Sequence, residues 1–409
     1  MSEPLVAAIE RHLAALVDGH PDRHPGRAGN TTANDYVESV LEGHHWAVES
    51  VDFEVLDAVL GPASLSVGGR EFEVHPGPYT VPVRTTAPLL PIDSLAALEA
   101  TDIAGAIVLL HGDIAADQLF PKSFDFVEAP EHRRIYELLE GGGPVAVIGA
   151  TGHGGGMGGG LYPYPLIEDG DFDLPNAYTT DEIGRGLVAL AGQPAELEVV
   201  AERLTLPARQ VTGARGPAGA PRVVIIAHID SKGGSPGALD NATGVAALLG
   251  TAQLLSEYGG PYRVELIPMN GEDYYANSGE HLFVAANEGR WEELLGAVNM
   301  DAIGHRGART AASMYAVSER GSELIGRVVR RHDTVSLGEE WYESDHSIVA
   351  AHDRPAVALT SYSFRELCAK VTHTEKDTLE LVDSALVAGA AVFVADLVRS
   401  LPAVGGPGA

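Results

Sequence analysis

The stretch VVIIAHIDSKGGSPGALDNATGVAALLGTAQLL, from Val223 to Leu255, places two kinds of hydrolytic chemistry within a few residues of each other. Gly233-Gly234-Ser235-Pro236-Gly237 has the spacing of a serine-hydrolase nucleophile elbow, while His228, Asp230 and Asp240 flank it with the donor types of a metal site. The elbow fails on its own chemistry. It uses the backbone N–H after the serine as an oxyanion donor, and here that residue is Pro236, which has none. A helix must also begin at once, yet Gly237-Ala238-Leu239-Asp240 intervenes, so Ser235 reads as loop.

The metal reading draws on residues further along the chain. His228 follows VVIIA, Glu272 and Asp273 follow VELIPMNG, and Asp301 follows AVNM. Asp240 stands ahead of a helix expected from Asn241, and His373 lies in VTHTEKDTLELVD near the last helix. Imidazoles and carboxylates without cysteine suit a hydrolytic zinc or related site rather than a structural one. Two metals about 3.5–4 Å apart need a bridging carboxylate, further carboxylates and imidazoles, and a bridging water. They also need a non-ligating carboxylate to take that water's proton. His228, Asp240, Asp273, Asp301 and His373, together with Glu272, supply that set. Asp230 is spaced to accept the second N–H of His228 and fix its tautomer, and Asp377 to support His373 in the same way.

Such residues meet only if the elements between them form a sheet. After Pro207 the pattern predicts strand 223–227, helix 241–257, strand 263–269, helix 277–288 and strand 297–301. Helix 320–332, strand 355–360 and helix 383–400 follow. This alternation implies an α/β fold with a mixed, largely parallel central sheet flanked by helices, whose site lies beyond the carboxyl ends of the strands. Residues 57–200 differ in character. They are rich in Pro and Gly with short candidate strands, and they read as a small β-rich insertion between 1–56 and 201–409, the two parts of the catalytic domain.

Composition narrows the partners. A net charge of −30 argues against nucleic acid. The single cysteine, Cys368, excludes an internal disulfide framework. Leu5, Ile9, Leu13 and Leu16 recur at helical spacing, so the N-terminus reads as a surface helix rather than a signal peptide. No apolar run reaches membrane-spanning length, and the expected location is cytoplasmic, with no membrane partner. The Gly-rich run GATGHGGGMGGG around His153 lacks the G-K-S/T of a phosphate loop and reads as a flexible loop, with no ligand role for His153.

These motifs together resemble the co-catalytic zinc aminopeptidases of metallopeptidase family twenty-eight. HIDSKGGSPGALDNATGVAALL is similar to that family's H-x-D loop and its P-G-A-x-D-N segment, and NGED to its paired acidic motif. NMDAIG, SDHSIVAAHDRPAVAL and THTEKDTLELVD resemble its N-x-D, S-D-H and final H-T-x-x-D-T segments, and HPGRAGNTTANDYVESVL its opening R-x-x-G motif and helix. The resemblance implies the zinc-peptidase, phosphorylase/hydrolase-like sheet and two zinc ions per chain, with cobalt or manganese as substitutes. It makes Asp240 the bridge, pairs His228 with Asp301 on one metal and Asp273 with His373 on the other, and makes Glu272 the general base. IAGAIVLLHGD and GGGPVAVIGATG resemble a protease-associated domain, whose implied role is to shape or cover the substrate cleft.

Three departures stand out. Asp273 replaces the usual Glu, and YYANSGEH replaces the G-L-x-G-S tail, which directs Tyr274 and Tyr275 toward substrate or support. Thr372 stands where some relatives have Tyr, and Glu343, just before SDH, reads either as a contact for a substrate ammonium or as an exposed loop carboxylate. The implied activity is release of N-terminal residues from a peptide. Alternatives are an amidase or carboxypeptidase-type hydrolase of a small metabolite, a mono-zinc glutaminyl-cyclase-like enzyme, and a non-enzymatic binding scaffold.

Overall fold

The computed structural model describes residues 3–124, 129–153 and 156–402. The chain divides into two compact units. One comprises Met1–Phe53, Pro207–Leu367 and Val371–Ala409, the other Glu54–Leu206 with Cys368–Lys370.

The first unit opens on helices α1 (Glu3–Ala14) and α2 (Ala28–Gly43). Leu5, Ile9, Leu13 and Leu16 are buried, as their helical spacing predicts.

The second unit is built on β1 (Ala47–Val67), β2 (Arg70–Phe72), β3 (His75–Pro76), β4 (Val83–Ile92), β5 (Ile107–Leu110), β6 (Ala146–Thr151), β7 (Asn176–Thr180) and β8 (Pro194–Arg215). Helices α3 (Leu95–Ala100), α4 (Pro130–Gly142) and α5 (Asp181–Val188) join these strands. Strands β4, β5, β6 and β7 pair in parallel, and β8 and β3 add antiparallel to β4 and β7. The runs Ile107–Leu110 and Ala146–Thr151 are buried throughout, the pattern of parallel strands covered on both faces. Strands β1 and β8 are long enough to run through the boundary between the units in sequence.

The rest of the first unit follows β8: β9 (Arg222–His228), α6 (Thr243–Leu254), β10 (Arg263–Met269), α7 (Ser278–Asn287), β11 (Leu294–Met300) and β12 (Thr310–Tyr315). Then come α8 (Glu319–Val329), β13 (Val335–Leu337), α9 (His346–Ala351), β14 (Ala356–Ser361), α10 (Phe364–Lys370) and α11 (Ser384–Ser400). The strand order is β13-β12-β14-β11-β9-β10-β8. Strands β14, β11, β9 and β10 are mutually parallel, while β12 and β8 enter antiparallel to β14 and β10. This is the mixed, largely parallel sheet that the alternation predicts.

Helix α6 is apolar all round and buried from Thr243 to Ala252, which makes it the central helix of the core, packed against α1 and α11. It begins at Thr243 rather than Asn241, because Asp240 and Asn241 adopt non-helical backbone angles (φ −115°, ψ 87° and φ −136°, ψ 44°). Strands β12 and β13 are not expected from the sequence. Thr310–Tyr315 holds Ala-Ala-Ser at its centre, poor β-formers, and β13 is only three residues long. Among the described residues no helix is long and apolar enough to cross a membrane.

Candidate metal centre

The ends of three adjacent parallel strands deliver the ligand candidates. Strand β9 ends on His228, β10 leads through Asn270-Gly271 to Glu272 and Asp273, and β11 leads into Asp301. The loop from Ile229 to Leu239 returns Asp240 to the same place, and His373 arrives from beyond α10 with a left-handed backbone (φ 65°). The structure brings all six together. His228 Nε2 lies 3.1 Å from Asp240 Oδ1, 3.6 Å from Asp301 Oδ1 and 3.9 Å from Glu272 Oε2. His373 Nε2 lies 3.0 Å from Asp273 Oδ1 and 3.4 Å from Asp240 Oδ2. The two oxygens of Asp240 therefore face two different imidazoles.

Other side chains hold these loops. Asp230 accepts N–H bonds from Gly271 and Glu272 on Oδ1 (2.9 and 3.2 Å) and from Asp273 on Oδ2 (3.0 Å). Successive amides aimed at one carboxylate form an anion nest, opened here by Gly271 at φ 117°. Asp230 Oδ1 is 3.6 Å from His228 Nδ1, too long for a hydrogen bond. Its carboxylate helps to raise the His228 pKa and also anchors the turn that carries Glu272 and Asp273. Asp377 bonds elsewhere than at His373. Its carboxylate accepts from Leu239 N at 2.7 Å and Asp240 N at 3.0 Å, so it seats Asp240 rather than His373. Asn241, which the sequence reading passes over, ties the strand end to the bridge by donating to Met300 O at 2.8 Å and accepting from Gly244 N at 2.9 Å.

One glycine in this loop is required. Gly237 has φ 59°, and a Cβ there would lie 2.6 Å from both Asp240 O and Ser231 Cβ. The left-handed backbone alone costs a substituted residue about 1–2 kcal/mol. Gly237→Ala is expected to lower the melting temperature by at least ~3 °C in a calorimetric scan and to reduce bound metal; an unchanged melt would show that the loop relaxes freely.

Electrostatics follow from burial. Desolvation lowers the His373 pKa, but the carboxylates of Asp273 and Asp240 outweigh it and push it up to about 10. His228 is likewise driven well above its ordinary value against burial, chiefly by Glu272 and Asp301. Burial raises Glu272 well above the carboxylate range, opposed by His228 and reinforced by Asp273, Asp301 and Asp345. The cluster demands positive charge. Among the described residues, buried polar atoms without a hydrogen-bond partner include both ring nitrogens of His228, Asp273 Oδ2 and His373 Nδ1. Unsatisfied buried imidazole and carboxylate atoms, on groups with one ligand atom each within 4.8 Å of one another, fit a divalent cation. Three overlapping groups meet that limit: His228, Asp240 and Asp301; Asp240, Asp273 and His373; and His228, Glu272 and Asp273.

The other site expectations fare differently. Tyr274 and Tyr275 are buried, at 1% and 6% exposure. Their rings meet edge to face at 4.7 Å, and Tyr274 also packs on His24 at 5.4 Å, so they brace the Glu272–Asp273 turn. Glu343 is exposed, accepts the Tyr342 N–H at 2.8 Å and lies outside the three groups. Ser235 serves the loop, its Oγ accepting from Gly237 N at 3.1 Å. In the other unit His153 stacks on Tyr162 at 3.8 Å; Gly154 and Gly155 of the Gly-rich run lie outside the described residues.

With that geometry in hand, comparison with known proteins gives one sequence family. Residues 210–398 match the model of Peptidase family M28. No curated protein sequence matches significantly. Among solved structures, the aminopeptidase from Aneurinibacillus sp. strain AM-1 superposes with a TM-score of 0.75 at 21% identity, over 97% of this chain and 93% of that one. BSAP, a zinc aminopeptidase from Bacillus subtilis, gives 0.72 at 19% identity, over 96% and 94%. A Peptidase M28 precursor from Shewanella amazonensis SB2B gives 0.70 at 15% identity, over 98% and 96%. At such identities the likeness is one of fold.

Proposed function

Residues 210–398 match the model of peptidase family M28, and from that match we propose that the protein is a two-metal aminopeptidase in which Glu272 handles the protons. The observation that carries this reading is Asp240, whose Oδ1 lies 3.1 Å from His228 and whose Oδ2 lies 3.4 Å from His373, while those imidazoles also face Asp301 and Asp273 respectively. A carboxylate so placed suits two cations held by His228 and Asp301 on one side and by Asp273 and His373 on the other. Two divalent cations would also balance the four carboxylates of Asp240, Glu272, Asp273 and Asp301. Zinc fits the donor set, as do cobalt and manganese. When bound, such cations supply Lewis acidity to a scissile carbonyl and bring the pKa of a water toward neutrality.

The chain's own residues do the rest. Glu272 has the most open side chain of the six, at 16% exposure, and stands 3.9 Å from His228 Nε2 without facing Asp240. It accepts the proton of the attacking water and passes it to the departing amine. Asp230 and Asp377 hold Glu272, Asp273 and Asp240 through main-chain amides, so the carboxylates need no rearrangement during the reaction. The acidic surroundings favour a substrate with a free α-ammonium group.

The test is a matched pair of short peptides, one with a free N-terminus and one acetylated, incubated with zinc- or cobalt-reconstituted protein. Free-amine peptides are expected to lose their N-terminal residue and acetylated ones to persist. Equal cleavage of both would exclude aminopeptidase chemistry. Shortening from the other end would favour the carboxypeptidase-type reading, and loss of ammonia without shortening the cyclase one.

A further inference from the structure

The loops that carry the ligand candidates are gripped from a part of the chain that provides none of them. Arg23 is 1% exposed, and its four hydrogen bonds all go to main-chain carbonyls. Nε donates to Ile229 O at 2.9 Å, Nη1 to Leu16 O at 2.9 Å and Pro236 O at 3.1 Å, and Nη2 to Gly237 O at 2.7 Å. Ile229 sits between His228 and Asp230, and Pro236-Gly237 lead into Asp240. A Cβ on Gly237 would come within 2.7 Å of Arg23 Nη2, so the fit is close.

Asn30 extends the grip to the third loop. Its Nδ2 donates to Arg23 O and to Asn270 Oδ1, both at 2.8 Å, and Asn270 Nδ2 donates back to Asn30 Oδ1 at 3.0 Å. Asn270 directly precedes the Gly271-Glu272-Asp273 turn. Arg23 and Asn30 lie outside the segment 210–398 that matches the family model, and Asn270 lies within it.

We propose that Arg23 and Asn30 form a positioning clamp that pre-sets the spacing of the metal-ligand loops, with the Arg23 guanidinium as a fixed cation behind the acidic cluster. The proposal rests on the metal reading above. Carboxylates gathered from separate loops repel one another, so the loops splay unless something holds them before a cation arrives. A guanidinium does this because its planar fork reaches several carbonyls at fixed angles, which a lysine ammonium on a flexible stem does not. The charge persists at neutral pH. Burial lowers the Arg23 pKa, but Asp377, Asp230, Asp240 and Asp273 oppose it and leave it at about 10. Coupling is reciprocal: if the clamp strengthens metal binding, metal binding must stabilise the clamp.

The experiment has two arms. In the first, zinc affinity is measured by chelator competition for the full chain and for Arg23→Met, Arg23→Lys and Asn30→Ala, alongside kcat, KM and the melting temperature of the metal-free protein. Arg23→Met is expected to weaken zinc about 10–100-fold and lower kcat in step while KM changes by less than ~3-fold. Arg23→Lys is expected to recover part of that loss. A merely structural arginine would lower the metal-free melt and leave the zinc affinity of the folded protein unchanged, which would overturn the clamp. The second arm uses the unaltered protein and so does not depend on a variant folding: hydrogen exchange of the amides of residues 24–31, with and without zinc. Slower exchange there on zinc binding supports the clamp, and no change overturns it. Failure of the unaltered protein to take up metal at all would instead defeat the metallopeptidase reading, and the clamp with it.

Discussion

Glu272→Gln is expected to lower kcat by about 10²–10⁴-fold, the range for removing a positioned proton-transfer group, with metal content unchanged. Glutamine keeps the size of the side chain and one carbonyl oxygen, but it cannot accept a proton from water or deliver one to the leaving amine. The geometry predicts that metal is retained, because Asp240, Asp301, His228, Asp273 and His373 form two sets of ligand atoms without Glu272. The control matters, since Glu272 also falls in a third group with His228 and Asp273. Elemental analysis beside steady-state kinetics separates the two roles. Loss of metal in step with activity would make Glu272 a ligand and require another group for the proton.

Asp240→Asn is expected to affect both cations at once. Metal content should fall from two per chain toward zero after zinc reconstitution, with kcat reduced beyond detection. Asp240 is the shared residue: burial raises its pKa, but the His228 and His373 imidazoles on either side hold it well below the usual carboxylate range. An amide in that position loses the charge and turns an N–H donor toward an imidazole or a cation. Asp301→Asn provides the contrast, because its carboxylate faces His228 and not His373, and one metal should remain. Two metals retained by Asp240→Asn would mean that the sites are independent. One metal in the unaltered protein would remove the two-metal mechanism and favour a mono-metal enzyme, and none would favour a binding scaffold.

Much of this centre is legible in the sequence because strand ends are. VVIIA, VELIPM and AVNM are apolar runs, and each stops at a polar residue that must then lie at the carboxyl edge of a parallel sheet. That logic groups His228, Glu272, Asp273 and Asp301 without any structure. It does not reveal what a carboxylate bonds to. Asp230 and Asp377 look like partners for imidazoles because they are close in sequence, but they bind main-chain N–H groups whose direction depends on turns far away. Burial misleads in the same way: Tyr274 and Tyr275 adjoin the acidic pair, yet how deep they sit depends on packing with residues such as His24. Arg23 is less legible still, since nothing local says that its side chain crosses to carbonyls more than two hundred positions away. In the sheet, β12 and β13 escape notice because an Ala-Ala-Ser centre and a three-residue strand leave too little pattern to detect.

The discontinuity of the first unit also sets a timetable for synthesis. Glu54–Leu206 is almost wholly contiguous and can acquire its own core as it leaves the ribosome. Residues 1–53 emerge before it, but the partners that bury their apolar faces do not yet exist. Arg23 waits 206 residues for Ile229, about 10–40 s at ~5–20 residues per second. Throughout that interval Leu5, Ile9, Leu13 and Leu16, buried in the folded unit, lack the α6 and α11 faces against which α1 packs. The contacts of Arg23 with Ile229, Pro236 and Gly237 therefore form only after those residues have been made. Slowing elongation in the middle of the message lengthens that wait.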